Sequence, residues 1–231
     1  QTNKADVMIA GGAEAAVCRI GMAGFCSLRA LSTNFNNKPE NASRPFDENR
    51  DGFVMGDGAG IMVLEEYNHA KDRNAKIYAE IIGYGTSGDA HHITSPPDDG
   101  NGAKRCVKSA LNDAKLNIED IDYINAHGTS TPIGDKIEIE SIKEIFLKNI
   151  DKIKMSSTKS SIGHLLGASG GVEAIYSIMC INNNQIPATL NLDNPMQESK
   201  GLDLVPHNSI DHKVDCILSN SFGFGGTNAS L

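Results

Sequence analysis

The sequence predicts an α/β protein. Short apolar runs of strand character alternate with segments of helical period, and the strands end in glycine-rich or polar turns. Asp6 to Ala10 reads as a buried, parallel-sheet strand that runs into the turn Gly11-Gly12-Ala13-Glu14. An apolar, helix-like stretch follows around residues 15–31, and the polar, Asn/Pro/Arg-rich residues 32–51 read as a long surface loop. Ile61 to Leu64 forms a second buried strand, and the charged stretch from His69 to Lys76 links two structural halves. Ile77 to Gly85 begins another strand before a Gly/Ser/Pro-rich loop from Thr86 to Gly102. Residues 103–115 place Val107, Ala110, Leu111 and Ala114 on one helical face. Asp122 to Ala126 is a short strand, and Gly134 to Lys148 a helix. Met155 to Gly171 is a strand and loop punctuated by glycine, and Val172 to Ile181 an apolar helix. Cys216-Ile217-Leu218 opens a terminal strand that ends in Phe222-Gly223-Phe224-Gly225-Gly226.

Composition narrows the function. With 39% hydrophobic and 22% charged residues, the 231-residue chain can bury a core, which excludes disorder as a whole-chain description. No run approaches the roughly 18 consecutive apolar residues that a membrane span needs, and the polar opening from Gln1 to Lys4 contains no secretory apolar region. A net charge of -8 argues against nucleic acid as the main partner and leaves an acidic partner only a local basic patch to bind. The five cysteines form no CxxC pair and mostly neighbour aliphatic residues, the pattern of buried thiols in a reducing compartment.

Three segments end a strand with turn-forming polar residues, where open α/β sheets gather ligands. Asn125 to Asp135 carries a histidine off a strand, then hydroxyls, then an acid at the start of the next helix. Ser157 to Gly171 sets Lys159 and His164 five residues apart among small residues. Asn220 to Asn228 is a glycine loop able to aim backbone N–H groups at an anion. Each also has a plain structural reading: a satisfied histidine at a strand end, a solvated lysine, a hairpin turn. Spacing alone does not bring the three together.

Together these segments resemble the signature of the β-ketoacyl-acyl carrier protein synthases, the elongating condensing enzymes of the thiolase superfamily, and most closely those of type II fatty-acid synthesis. The likeness extends to Asp6–Glu14, Arg29-Ala30-Leu31-Ser32, Ser43-Arg44-Pro45-Phe46-Asp47, Arg50–Gly60 and Thr94-Ser95-Pro96-Pro97. It implies a layered α-β-α-β-α fold of two similar halves and a Cys-His-His site, with the histidines on His127 and His164 and the lysine on Lys159. Glu173 matches the family's acid, and Lys159 beside it is expected to give structural support rather than proton transfer. Thr129 and Thr131 match the threonines that bind the phosphopantetheine amides. Phe224 matches the residue whose N–H completes an oxyanion hole and whose ring gates the acyl pocket, with Phe222 and Gly225 beside it in the same substrate-facing loop. Gly88 to Pro97, including Thr94 and Ser95, resembles the mobile loop that faces it. Arg29 is the candidate contact for the carrier protein.

The resemblance implies decarboxylation of a malonyl thioester and condensation of the resulting enolate with an enzyme-bound acyl chain. It calls for no metal and no organic cofactor beyond the phosphopantetheine on the acyl carrier protein, and for a homodimer in the whole enzyme. The family's nucleophilic cysteine would lie upstream of Gln1, since Cys18 and Cys26 follow the Gly-Gly-Ala-Glu turn instead of preceding it. The chain is therefore expected to be the C-terminal part of a longer enzyme, with residues 1–67 ending the first half and 75–231 forming nearly all of the second. Alone, it would expose an apolar face and condense nothing. Two other readings stay open: a malonyl decarboxylase or chain-length subunit lacking the cysteine, and a non-catalytic fragment. A bacterial cytoplasm is expected, with a plastid-type organelle as the alternative.

Overall fold

A computed structural model describes residues 4–231. The chain runs β1 (Val7–Glu14), α1 (Arg19–Ser27), β2 (Gly58–Glu65), α2 (Tyr67–Asp72), β3 (Gly85–Gly88), α3 (Asn101–Ala114), β4 (Tyr123–Asn125), α4 (Pro132–Ile145), β5 (Lys154–Ser156), α5 (Lys159–Ile162) and α6 (Ser169–Asn183). It finishes with β6 (Gln185–Ile186), β7 (Ile210–Asp211), β8 (Ile217–Gly223) and β9 (Thr227–Ser230).

The central sheet has five strands in the order β3-β9-β8-β4-β5. β4 runs parallel to both β5 and β8, whereas β9 pairs antiparallel with β8 and β3. The alternation of side chains along a strand divides its contacts between two cores. Ile124 and Leu218 point into a cluster with Val107, Leu111, Ile139, Ile142 and Phe146, on the α3/α4 side. Their neighbours Tyr123 and Ile217 point the other way, into a cluster with Cys180 of α6, Ile186 and Val205. Covered on both faces, β4 and the start of β8 carry the adjacent apolar pairs Tyr123-Ile124 and Ile217-Leu218 instead of an alternation.

Helix α6 is a middle layer, touching β8 on one side and the β1–β2 ribbon on the other. Glycine makes that second contact possible. A Cβ on Gly60 would come within 2.6 Å of the Val172 nitrogen, and one on Gly171 within 2.6 Å of the Gly60 carbonyl oxygen. Helix and ribbon thus meet backbone to backbone.

Several expectations need correcting. β1 is a strand, but it pairs antiparallel with β2, Val7 opposite Glu65 and Glu14 opposite Gly58. Neither strand is buried: Ile9 is 71% exposed, Val63 65% and Ile61 56%. Residues 77–84 make no ladder; only Gly85–Gly88 lies beside β9, and Ile81, Ile82 and Tyr84 remain exposed. The helix expected over residues 15–31 is limited to α1, with no buried residue. The supposed surface loop 32–51 dives inward at its end. There Phe46 and Asp47 are fully buried, because the Asp135 carboxylate accepts the Phe46 N–H (2.9 Å) and Asp47 accepts from the Asn194 N–H (2.7 Å).

Candidate active site

A cleft of about 1270 Å³ opens where β4, β8 and the loop before α6 end on the same side of the sheet. His127, Thr129, Thr131, His164, Phe222, Phe224, Thr94, Ser95 and Arg29 all line it. Three segments that sequence spacing could not join are therefore brought to one cavity.

The parallel pairing of β4 with β5 and β8 sets their carboxyl ends level, so the chain leaves β4 into the cleft through Ala126 and His127. Gly128 takes φ +28°, and a Cβ there would sit 2.8 Å from the Phe46 ring. The turn is held by two carboxylates of α4. Glu138 accepts the His127 N–H at 2.8 Å and the Gly128 N–H at 2.7 Å. Asp135 accepts the Ser130 N–H at 3.1 Å, at a residue with φ +70°. Burial pushes the Asp135 carboxyl up to about 6 and that of Glu138 up to about 7, against the pull of the N–H groups they accept. Thr129 and Thr131 follow, their hydroxyls 3.0 Å apart.

His164 is pinned by a bridge to Met55. Its N–H donates to the Val54 carbonyl (2.7 Å), and its own carbonyl accepts from the Gly56 N–H (3.0 Å). Its ring lies perpendicular to that of His127, with an interplanar angle of 87° and centroids 5.3 Å apart. Phe53 packs edge-on to His164 at 5.3 Å, and Phe222 stands 6.1 Å from His127. The Leu166 N–H lies 3.2 Å from His164 Nδ1, placed to donate to a lone pair there. Burial, then the charge of Lys159, lowers the His164 pKa to about 3. The same two causes, followed by His164 itself, hold His127 well below its ordinary value. Both rings are neutral near pH 7. The His127 Nδ1 is buried with no hydrogen-bond partner among the described residues.

Lys159 and Glu173 stand behind this pair. They are hydrogen-bonded to each other, 1% and 0% exposed, and do not line the cleft. Burial raises the Glu173 carboxyl and the Lys159 charge opposes it. Both were counted among the catalytic candidates, and both lie behind the cleft wall. Gly225 also departs from expectation: it does not line the cleft, and its N–H is engaged by the Ile93 carbonyl at 2.8 Å. That bond ties the β8–β9 turn, where Phe224 is 48% exposed, to the 89–97 loop facing it. Asp89 adds two more ties, donating its N–H to the Gly226 carbonyl (2.8 Å) and accepting from Asn228 Nδ2 (2.6 Å). Arg29 is exposed at the cleft, in a left-handed conformation (φ +53°).

Among the described residues, no cysteine lines the cleft. Cys18 and Cys26 are exposed near α1, and burial raises the thiols of Cys106, Cys216 and Cys180, the last to about 11. No group of three potential metal ligands occurs among the described residues, and no helix there is long and apolar enough to cross a membrane. Glu138, Phe53 and Ser169 escaped the sequence reading. A signal existed for Glu138, which shares the inward face of α4 with Asp135, Ile139 and Ile142.

Residues 1–70 match the model of the beta-ketoacyl synthase N-terminal domain, and residues 78–193 that of the C-terminal domain. The 3-oxoacyl-[acyl-carrier-protein] synthase 2 of Rhizobium meliloti is 60% identical over 98% of this chain and 53% of its own length. The mitochondrial 3-oxoacyl-[acyl-carrier-protein] synthase of Arabidopsis thaliana is 53% identical over 100% of this chain and 50% of its own length. The chain thus spans about half the length of these relatives. Among solved structures, a ketosynthase in complex with a type II PKS acyl-carrier protein superposes with a TM-score of 0.95 at 36% identity, over 99% of this chain and 56% of that one. With a thiolase-like fold, two matching domain models and relatives above half identity, this chain belongs to the beta-ketoacyl synthase family.

Proposed function

We propose that this chain carries the histidine side of the active site of a 3-oxoacyl-acyl carrier protein synthase of fatty-acid elongation, an acyltransferase. The observation that carries the reading is the pair of neutral, perpendicular imidazoles at the head of one cleft. Decarboxylation of a malonyl thioester breaks the bond to the carboxylate carbon, releases carbon dioxide and leaves the electron pair as an enolate. Its negative charge gathers on the thioester oxygen. Neutral imidazole N–H groups aimed at that oxygen stabilise the charge without surrendering a proton, and buried, preorganised donors need no reorganisation as it develops. A charged imidazolium would instead hold the malonyl carboxylate and oppose its loss; burial and Lys159 keep both rings uncharged.

The enolate carbon then attacks an acyl thioester and expels its thiolate, giving a 3-oxoacyl chain on the carrier. We assign that thiolate to a cysteine in the part of the synthase that this chain does not span. Residues 1–67 belong in this reading to the first thiolase-like half and 75–231 to the second, with a homodimer completing the enzyme. Thr129 and Thr131 face the cleft with paired hydroxyls suited to the amides of a phosphopantetheine arm. Phe224, on its glycine turn, offers a backbone N–H and a movable ring. Arg29 at the cleft is the contact for an acidic acyl carrier protein, a partner that fits the solved ketosynthase complex. The bacterial relatives favour the cytoplasm, and the Arabidopsis protein allows an organelle.

Carbon dioxide release from malonyl-acyl carrier protein by the full-length synthase tests the reading. His127→Ala and His164→Ala are each expected to slow it about 100- to 1000-fold, the usual loss for one donor to a developing oxyanion. Unchanged release in both variants would overturn it. Retained decarboxylation with no condensation by the wild type would favour the cysteine-less decarboxylase instead.

A further inference from the structure

We infer that Ser169 is a positioning residue for His164, its hydroxyl acting with the Leu166 N–H to hold Nδ1 as an acceptor and the ring's proton on Nε2. The Ser169 Oγ lies 3.0 Å from His164 Nδ1, and the Leu166 nitrogen 3.2 Å from the same atom. A backbone N–H can only donate, so it requires a lone pair on Nδ1. At 3.2 Å that single bond is at the long end of its range and selects the tautomer weakly. A serine hydroxyl near a lone imidazole could accept as readily as donate. Here acceptance would require a proton on Nδ1, facing the Leu166 N–H. The two groups together therefore set one answer: the hydroxyl donates, and Nε2–H is the only donor the ring has left.

Two further observations separate this role from ordinary helix capping. Ser169 opens α6, whose N-cap is Ala168, and no side chain caps that terminus, so the helix makes no call on the hydroxyl. Ser169 is 4% exposed on a helix seated against the β1–β2 ribbon, so its hydroxyl is held in place by packing. His127 has no such partner at Nδ1 among the described residues. One imidazole of the pair thus has an imposed tautomer, and the other has none imposed by the chain.

The test is Ser169→Ala in the full-length synthase, with 15N-histidine spectra at pH 7 and malonyl decarboxylation measured on the same samples. The rate measurement alone rests on the function proposed above. In the wild type, His164 should show an unprotonated Nδ1 and a protonated Nε2. In Ser169→Ala, the two His164 nitrogens should move toward a tautomeric average while those of His127 stay put. The decarboxylation kcat should fall about 3- to 10-fold with KM unchanged, as for loss of one neutral hydrogen bond. Ser169→Thr, which keeps the hydroxyl, should restore both readouts. A wild-type tautomer in Ser169→Ala would overturn the inference whatever the rate, and so would a shifted tautomer with an unchanged rate. If the wild type fails to decarboxylate at all, the function proposal falls, and the His164 spectra still decide the role of Ser169.

Discussion

Glu138→Gln should change how stability depends on pH, and by a predictable amount. The Glu138 carboxyl is 3% exposed and accepts two backbone N–H groups, from His127 and Gly128. Burial dominates and raises its pKa from 4.5 to about 7. A carboxyl whose folded pKa lies above its unfolded one adds stability that is complete below pH 4.5 and lost as the pH rises through 7. At about 1.36 kcal/mol per pH unit, that window is worth about 3 kcal/mol. Glutamine does not titrate, so its variant lacks this slope. It carries a different, pH-independent cost: one amide oxygen replaces two carboxylate oxygens, and the NH2 group confronts a backbone N–H, a penalty of about 1–3 kcal/mol. Denaturant midpoints of wild type and variant, measured at pH 4.5 and pH 8, cancel every other titrating group in the double difference. The variant should gain about 3 kcal/mol on the wild type between the two pH values. A flat double difference would show that Glu138 stays ionised across the range, and that its two N–H bonds outweigh its burial.

Three other perturbations probe the frame around the histidines. Lys159→Met leaves Glu173 buried without its counter-charge and should cost about 3–5 kcal/mol in a denaturant melt. Histidine NMR on the same variant should show His164 titrating higher than in the wild type, though still below the ordinary value, because burial is the larger cause of its depression. Gly60→Ala puts a methyl group 2.6 Å from the Val172 nitrogen, a backbone atom that cannot yield cheaply; the denaturation midpoint should drop by an equivalent of about 1–3 kcal/mol. Ile61 and Val63 are the exposed apolar face of β2. The 231-residue chain expressed alone should aggregate, and Val63→Lys should raise its soluble fraction in a sedimentation assay.

How far the fold could be read from the sequence follows from which contacts are local. α3, α4 and α6 were legible because each buries a stripe spaced at three and four residues, as Val107, Ala110 and Leu111 show. β4 and the start of β8 were legible because strands covered on both faces carry adjacent apolar residues, here Tyr123-Ile124 and Ile217-Leu218. The same rule misjudged the burial of β1 and β2. Val7, Met8, Ile9, Ile61 and Val63 have the composition of a covered strand, yet nothing among the described residues covers them. Apolar character reports what a segment is suited to pack against; whether a partner is there to be packed is a separate fact. Residues 77–84 misled for a related reason: strand propensity is present, but a ladder needs a second strand, and β9 reaches only Gly85–Gly88.

The site divides along the same line. His127, His164 and the Phe222–Gly226 turn each stood out as polar or glycine residues closing an apolar run, and the family resemblance supplied their grouping. Lys159 stood out beside His164, and the resemblance paired it with Glu173. What the sequence did not show is that the fold buries both and sets them in contact behind the imidazoles. Burial first, and the cation behind them second, keep both imidazoles neutral, and neutral rings can donate to an oxygen gaining negative charge while keeping their protons. Without Glu173, the cation would itself be too costly to bury. The ion pair and the histidine pair are therefore one device, whose parts lie on the turn after β4, on α5, on the loop that follows it and on α6. Its working state depends on burial, which no motif spells out.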